Sequence, residues 1–222
     1  MNPRQDEGSV GYILHRRPYR ENSLILDVVT RDHGRIALVA RKRSGRKAAS
    51  PIAYEAFRRL RLRWRGRGEL KTMTGVEQAG AVSLSRDRLL FGLYFNELLL
   101  RLLPRAEEEA EVFEHYERAL LQLGAGDDAW QVSTRFELSL LLSLGYGLDP
   151  EQAHAGSEFV TGGGPVRVPT LSPATVAALE AGALEDPRVL DELRDLLDAL
   201  FYHYLGGRRL RARALLPSPF TR

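Results

Sequence analysis

The sequence contains no cysteine at all. This absence excludes disulfide bonds, thiol catalysis, iron–sulfur clusters and every zinc site that needs a cysteine ligand. Long apolar runs are also missing, because the most apolar window, residues 89–103, is interrupted by Asn96, Glu97 and Arg101. The first residues carry no apolar segment of the export type. We therefore expect a cytoplasmic protein with no membrane partner.

Signatures of catalysis are missing as well. The five histidines show neither the HExxH spacing nor another metal-ligand pair, and there is no GxSxG, GxxxxGKS/T or GxGxxG motif. The glycines at 162–164 precede Pro165 rather than a helix, which favours a hairpin turn over a phosphate-binding loop. The sequence therefore predicts a binding protein rather than an enzyme, with no metal and no cofactor.

The net charge of +3 conceals an uneven distribution along the chain. Residues 1–80 hold 18 Lys and Arg against 8 Asp and Glu, whereas residues 81–222 hold 14 against 21. A GC-rich genome would explain why 29 of the 32 basic residues are arginine, but it would not place their excess in one part of the chain. The basic part is therefore a candidate for binding nucleic acid or an anionic surface.

The first 80 residues show the period-two alternation of half-buried strands. The alternating apolar positions fall in five runs: Val10 to Leu14, Leu24 to Val28, Ile36 to Ala40, Leu60 to Trp64 and Leu70 to Thr74. Five short antiparallel strands are too few for a sandwich, so a closed barrel is the economical solution, and the OB-fold is the leading candidate. We predict an OB-fold domain over residues 1–80.

From Ser83 onward the apolar period becomes helical. Ser85 and Pro104 bound a first helix, and Val112, Phe113 and Tyr116 begin the apolar stripe of a second one. The glutamates near the start of that second helix suit its positive N-terminus, so most of them need no partner. We predict an α-helical bundle over residues 81–222, with an irregular, cysteine-free insertion at about 148–170. The fold class is then α+β and multidomain.

The basic half suggests binding to a polyanion. Arg59, Arg61, Arg63 and Arg65 alternate with apolar residues, so on a strand they repeat about every 6.6 Å along one face, although a solvated outer strand face would show the same pattern. Tyr19 and Phe57 are the stacking candidates, whereas Trp64 shares its face with leucines and belongs to the core. Further basic candidates for DNA contact are Arg17, Arg20, Arg35, Arg41, Lys42, Arg43, Arg46, Lys47, Arg67 and Lys71. A second basic segment contains Arg208, Arg209, Arg211 and Arg213.

Several motifs resemble a known family. The first half contains Gly11-Tyr12-Ile13-Leu14, Arg17-Pro18-Tyr19-x-Glu21-x-Ser23 and Thr30-x-x-His33-Gly34-x-Ile36-x-Leu38-Val39-Ala40-Arg41. The second half contains Phe136-Glu137-Leu138, Leu144-Gly145-Tyr146 and Tyr204-Leu205-Gly206 before the basic segment. These segments resemble, in order, the OB and helical domains of the RecO recombination and repair proteins.

The resemblance implies a nucleoid-associated, non-catalytic DNA repair and recombination mediator. Such a protein binds single- and double-stranded DNA largely without sequence preference, promotes strand annealing and loads a recombinase together with RecR. It also implies binding to the acidic C-terminal tail of the single-strand-binding protein, and RecF is a further candidate partner. The alternatives from the residues alone are an OB-fold RNA-binding protein and a protein-interaction adaptor.

The chain departs from the family at one place. Many members carry a four-cysteine zinc module after the Leu-Gly-Tyr segment, and residues 149–169 contain no cysteine here. A lone His154 cannot hold zinc. We expect residues 157–168 to fold back as a small hairpin around the glycines at 162–164 instead.

Overall fold

The computed structural model describes residues 7–41, 54–105, 107, 109–146, 159–161, 164–166 and 168–217. In these ranges the strands are β1 Glu7–Tyr19, β2 Ser23–Thr30, β3 Gly34–Arg41, β4 Arg58–Arg65, β5 Leu70–Ala81, β6 Phe159–Thr161 and β7 Gly164–Val166. The helices are α1 Arg86–Leu102, α2 Ala110–Ala125, α3 Ala129–Ser143, α4 Pro173–Ala181 and α5 Pro187–Tyr204, followed by a 3₁₀ turn at Arg213–Leu215. None of these helices has both the length and the apolar character needed to cross a membrane.

The first five strands form a closed barrel in the order β1-β2-β3-β5-β4. β1 pairs with both β2 and β4 in the antiparallel sense, and the parallel pairing of β3 with β5 completes the wall. This strand order is that of the OB-fold. The prediction of a five-stranded OB barrel followed by a helical bundle is therefore confirmed.

The period-two pattern identifies the strands, but it selects the interior side chains only on β2, β3 and β4. On β1 the predicted Tyr12 and Leu14 pack in the bundle core, and Ile13 faces the barrel interior. On β5 the predicted Leu70 is exposed, and Met73 and Val76 pack against the interior instead.

The barrel interior is filled mainly from β2, β3 and β4. Leu26, Leu38, Leu60, Leu62 and Trp64 are completely buried there. The indole nitrogen of Trp64 donates a hydrogen bond to Glu7 over 3.0 Å, which satisfies its one polar group. The predicted core position of Trp64 is confirmed.

The helices begin and end at the residues that local chemistry favours. α1 follows Ser85 and ends before Pro104, as expected. The side chains of Ser172 and Asp186 accept backbone N–H groups at the starts of α4 and α5, each of which has a proline in its first turn. The apolar stripe of α2 is buried along its whole length, so the bundle core forms where the sequence places it.

A polar joint connects the barrel with the bundle. Asn96 of α1 donates to the carbonyl oxygen of Leu14 in β1 over 3.1 Å and accepts the hydroxyl of Tyr116 over 2.7 Å. Tyr12 of β1 packs edge-on against Tyr116, with 5.5 Å between ring centroids. Because the polar groups of Asn96 find partners on two different elements, the joint holds the barrel at a defined position on the bundle.

The insertion contains a small hairpin. β6 pairs with β7 in the antiparallel sense, with Thr161 opposite Gly164, and Val166 is buried in the bundle core. The expected hairpin is confirmed for these strands, while Gly162, Gly163 and His154 lie outside the described residues. A zinc ion of the family type does not fit this segment, because the chain has no cysteine to bind it.

Candidate nucleic-acid interface

One end of the barrel carries an open groove of about 570 Å³. We call it the barrel-end groove. It is lined by the β1–β2 turn, the ends of β3 and β4, the first half of β5, and Tyr54 ahead of β4: Tyr19, Arg20, Ser23, Val39, Arg41, Tyr54, Arg65, Thr72, Met73, Thr74, Gly75 and Val76. OB-folds bind oligonucleotides with the second and third strands and with the loops after the first and fourth strands. The groove therefore occupies the part of the barrel that this fold uses for binding.

Three exposed arginines line the barrel-end groove: Arg20, Arg41 and Arg65. Within the described residues, no carboxylate forms an ion pair with any of them. The guanidinium of Arg20 lies over the ring of Tyr19, 5.1 Å from its centroid, in a turn where Arg20 has a φ of +51°. Cation and aromatic ring are thus presented together, as binding to a stacked, negatively charged strand requires.

The predicted cations Arg17, Arg67 and Lys71 are not part of the lining of this groove. Arg17 on β1 and Arg67 in the β4–β5 turn are exposed, and Lys71 is half-buried with its ammonium 3.4 Å from the carbonyl oxygen of Gly66. Lys42, Arg43, Arg46 and Lys47 lie outside the described residues.

The predicted row of four arginines on β4 is divided by the structure. Arg61 and Arg65 are exposed, while Arg63 pairs with Glu77 on β5 over 2.9 Å, at a site where both side chains are half exposed. Arg59 faces the bundle and donates to Glu117 of α2 over 2.8 Å. This hydrogen bond raises the pKa of Arg59. The placement of Arg59 on a free DNA-binding face was wrong, because the bundle supplies a carboxylate for it.

Arg35 is also a structural residue rather than a DNA contact. Its guanidinium donates to the carbonyl oxygen of Leu100 near the end of α1, and burial lowers its pKa. Beside it, Arg105 pairs with Asp27 over 3.3 Å. The prediction of Arg35 as a DNA-binding residue is corrected, because its side chain joins β3 to the end of the first helix.

Phe57 is not available for base stacking. Its side chain is only 6% exposed, and it packs against Gly92 of α1, where a Cβ would lie 2.8 Å from the ring. The signal for this contact was present in the sequence, because a glycine inside an apolar helix often marks a close approach. Tyr19, which is half-buried in the groove, keeps its predicted role as a stacking candidate.

The C-terminal basic segment separates into exposed and buried members. Arg208, Arg209 and Arg211 are exposed. Arg213 has a side chain only 12% exposed and pairs with Glu137 over 3.1 Å and Asp198 over 2.7 Å. Burial acts to lower the pKa of Arg213, but the neighbouring acidic groups outweigh it and raise the pKa overall. The prediction of Arg213 as a DNA contact is therefore corrected.

Comparison with known proteins decides the family. The model for the recombination protein O N-terminal domain matches residues 6–82, and the model for its C-terminal domain matches residues 83–162. The DNA repair protein RecO of Aromatoleum aromaticum is 37% identical, with 92% of each chain covered. The chain belongs to the RecO family. The DNA repair protein RecO of Nitrosococcus oceani is also 37% identical, over 92% of this chain and 90% of its own.

RecO proteins are non-enzymatic mediators of DNA repair and recombination, so the resemblance and the absence of an enzymatic role are confirmed. The Thr30-x-x-His33-Gly34 motif of this chain has a structural explanation. The hydroxyl of Thr30 donates to the carbonyl oxygen of Gly34 over 2.9 Å and accepts the N–H of His33. The ring of His33 packs edge-on against Trp64. The motif thus shapes the β2–β3 turn.

Proposed function

We propose that this protein binds single- and double-stranded DNA through the barrel-end groove and promotes the annealing of complementary strands. In this proposal, residues 1–80 form the DNA-binding domain and residues 81–222 the helical domain. The observation that carries it is the set of three exposed arginines around Tyr19, at the binding end of an OB-fold. Because none of the three has a carboxylate partner in the described residues, phosphates are the ligands that would neutralise them.

The groove supports binding with little sequence preference. Its cations sit at strand ends and in turns, where they reach a phosphate backbone rather than the edges of bases. Tyr19 offers a ring on which any base can stack. Annealing then requires only that the repulsion between two backbones is reduced while the bases remain free to pair.

Partners follow from the family. We propose that the protein acts with RecR to load a recombinase, and that it meets the acidic C-terminal tail of the single-strand-binding protein, with RecF as a further partner. Membership of a DNA repair family favours DNA over the RNA-binding alternative. A competition between RNA and DNA strands of one sequence tests that preference, and stronger binding to RNA would contradict it.

The test of the DNA site uses two variants with equal loss of charge. The triple substitution Arg20→Ala, Arg41→Ala, Arg65→Ala removes the cations of the barrel-end groove. The control triple Arg86→Ala, Arg118→Ala, Arg188→Ala removes three exposed arginines from the bundle. We expect the groove variant to lose at least tenfold in affinity for single-stranded DNA and in annealing rate, and the control to stay near wild type. Equal losses in both variants would contradict a site in this groove.

A further inference from the structure

The bundle carries a second open groove, of about 550 Å³, between α5, the start of α3 and the chain that follows α5. We call it the bundle groove. Phe201, Leu205 and Leu210 contribute apolar surface to it, and Trp130 and Tyr202 contribute aromatic rings. It shares no lining residue with the barrel-end groove, so these two grooves are separate.

Arg208 and Arg209, the rim arginines, provide the free positive charge of the bundle groove. Both are exposed and line it, and in the described part of the chain no carboxylate pairs with either one. The other two arginines in the lining already have acidic partners. Arg194 pairs with two aspartates of its own helix, and Arg213 is held by Glu137 and Asp198.

The segment that bears the rim arginines is held in place by the bundle. The carboxylate of Glu97 on α1 accepts the backbone N–H groups of Arg211 and Ala212 over 3.1 and 2.7 Å. The ion pairs of Arg213 with Glu137 and Asp198 fix the same segment against α3 and α5. A ligand therefore meets a pre-organised surface, which reduces the entropy lost on binding.

Tyr202 adds an aromatic face beside these charges. Its side chain is half exposed, at 50%, and its hydroxyl lies 3.5 Å from the position that a Cβ on Gly207 would take. Gly207 has a φ of +76°, so this turn brings bare backbone, without a side chain, close to the ring. An exposed ring beside unpaired guanidiniums is the combination on which single strands bind.

We infer that the bundle groove is a second site for single-stranded nucleic acid, in which the rim arginines contact phosphates and a base stacks on Tyr202. This inference rests on the proposed function and deepens it, because one chain would then hold two strands at once. Holding both strands raises their effective concentration for each other, which is what annealing of dilute strands needs. An acidic peptide would use the same two charges, but the half-exposed aromatic ring of Tyr202 beside them favours a base that can stack on it.

The experiment counts strands on the full-length protein. Fluorescent oligothymidylate of about ten nucleotides is titrated at low salt onto wild type, the double variant Arg208→Ala, Arg209→Ala, and the single variants Tyr202→Ala and Tyr202→Phe. We expect two oligonucleotides per wild-type chain, one on the double variant and on Tyr202→Ala, and two on Tyr202→Phe, which keeps the ring. The control double Arg86→Ala, Arg118→Ala should still bind two. The annealing rate should fall about tenfold in the double variant while its barrel-end site remains occupied.

Each result has one interpretation. Two oligonucleotides on the double variant, one on wild type, or an unchanged annealing rate would overturn the second site. An aspartate-rich peptide is tested on the same proteins. If the double variant Arg208→Ala, Arg209→Ala loses binding to this peptide but still binds two oligonucleotides, the groove is a peptide site and the inference is overturned. A failure of the proposed function looks different, because the barrel-end triple variant would then still bind two oligonucleotides, whereas loss of a real barrel-end site leaves it with one.

Discussion

Arg59 of the barrel donates a hydrogen bond to Glu117 of α2 over 2.8 Å. The same carboxylate oxygen accepts the hydroxyl of Tyr12 over 2.9 Å, and Arg31 lies 3.6 Å from the other oxygen. The side chain of Glu117 is only 17% exposed. One acidic residue of the bundle therefore contacts three side chains of the barrel, and the relative position of the two parts depends on it.

Replacing this acid should weaken the whole fold. Glu117→Gln keeps the size of the side chain but removes the charge that two arginines face, so we expect the free energy of unfolding to fall by about 1–3 kcal/mol. Glu114→Gln, at an exposed position of the same helix, should change it by no more than about 0.5 kcal/mol. Urea denaturation measures both, and equal stability of the two variants would show that the joint contributes nothing.

The second prediction concerns Gly34. It has a φ of +57°, and a Cβ placed on it would overlap the carbonyl oxygen of Glu107 in the connection between α1 and α2. Gly182 has a similar φ of +67°, but a Cβ there would meet nothing within 4 Å. We expect Gly182→Ala to cost about 1 kcal/mol from the backbone alone, and Gly34→Ala to cost clearly more. Equal melting temperatures for the two variants would contradict the contact with Glu107.

Alanine substitutions at Phe57 and at Tyr19 should have opposite effects on stability and on DNA binding. Phe57→Ala leaves a cavity beside α1 and should cost about 3–5 kcal/mol of stability, without changing the salt dependence of DNA binding. Tyr19→Ala should leave stability nearly unchanged and weaken binding to single-stranded DNA about tenfold. Thermal melting and fluorescence anisotropy separate the two effects. A Phe57→Ala variant that stays stable but binds poorly would restore Phe57 as a stacking residue.

The start of α4 should depend on pH. Glu192 accepts the backbone N–H of Ser172 over 2.8 Å, and this hydrogen bond lowers the pKa of the carboxyl in the folded state. A carboxyl whose pKa is lower in the folded chain than in the unfolded chain stabilises the fold at pH values above the unfolded pKa. This stabilisation is lost as the pH falls through the folded pKa. The advantage of wild type over Glu192→Gln should therefore shrink between pH 7 and pH 3 in urea denaturation. An advantage that grows toward low pH would contradict this assignment.

The sequence predicts the elements well because their signals are local. The five strands follow from alternation within each run, and the starts of α4 and α5 follow from Ser172 and Asp186 beside prolines. The family follows from the motifs around His33 and Tyr146. None of these requires knowledge of a distant residue.

The wrong predictions in the candidate site depend on contacts between residues that are far apart in the sequence. Arg59 is neutralised by Glu117, 58 residues away, and Arg213 by Glu137, 76 residues away. The alternation on β4 correctly places Arg59 outside the barrel, but it cannot show that the bundle covers that part of the wall. Glu117 belongs to a run of glutamates that would suit a solvent-exposed helix start, so the sequence does not indicate its contacts with the barrel either.

The central claim is that the barrel-end groove binds phosphates through its arginines, and its salt dependence tests this most directly. The affinity for oligothymidylate is measured from about 50 to about 300 mM salt for wild type and for the variant Arg20→Ala, Arg41→Ala, Arg65→Ala. If wild type neutralises about five phosphates, its log K should fall with log salt at a slope near −3.5. The variant lacks three of these contacts, so its slope should be about −1.4. Identical slopes for the two proteins would contradict the account.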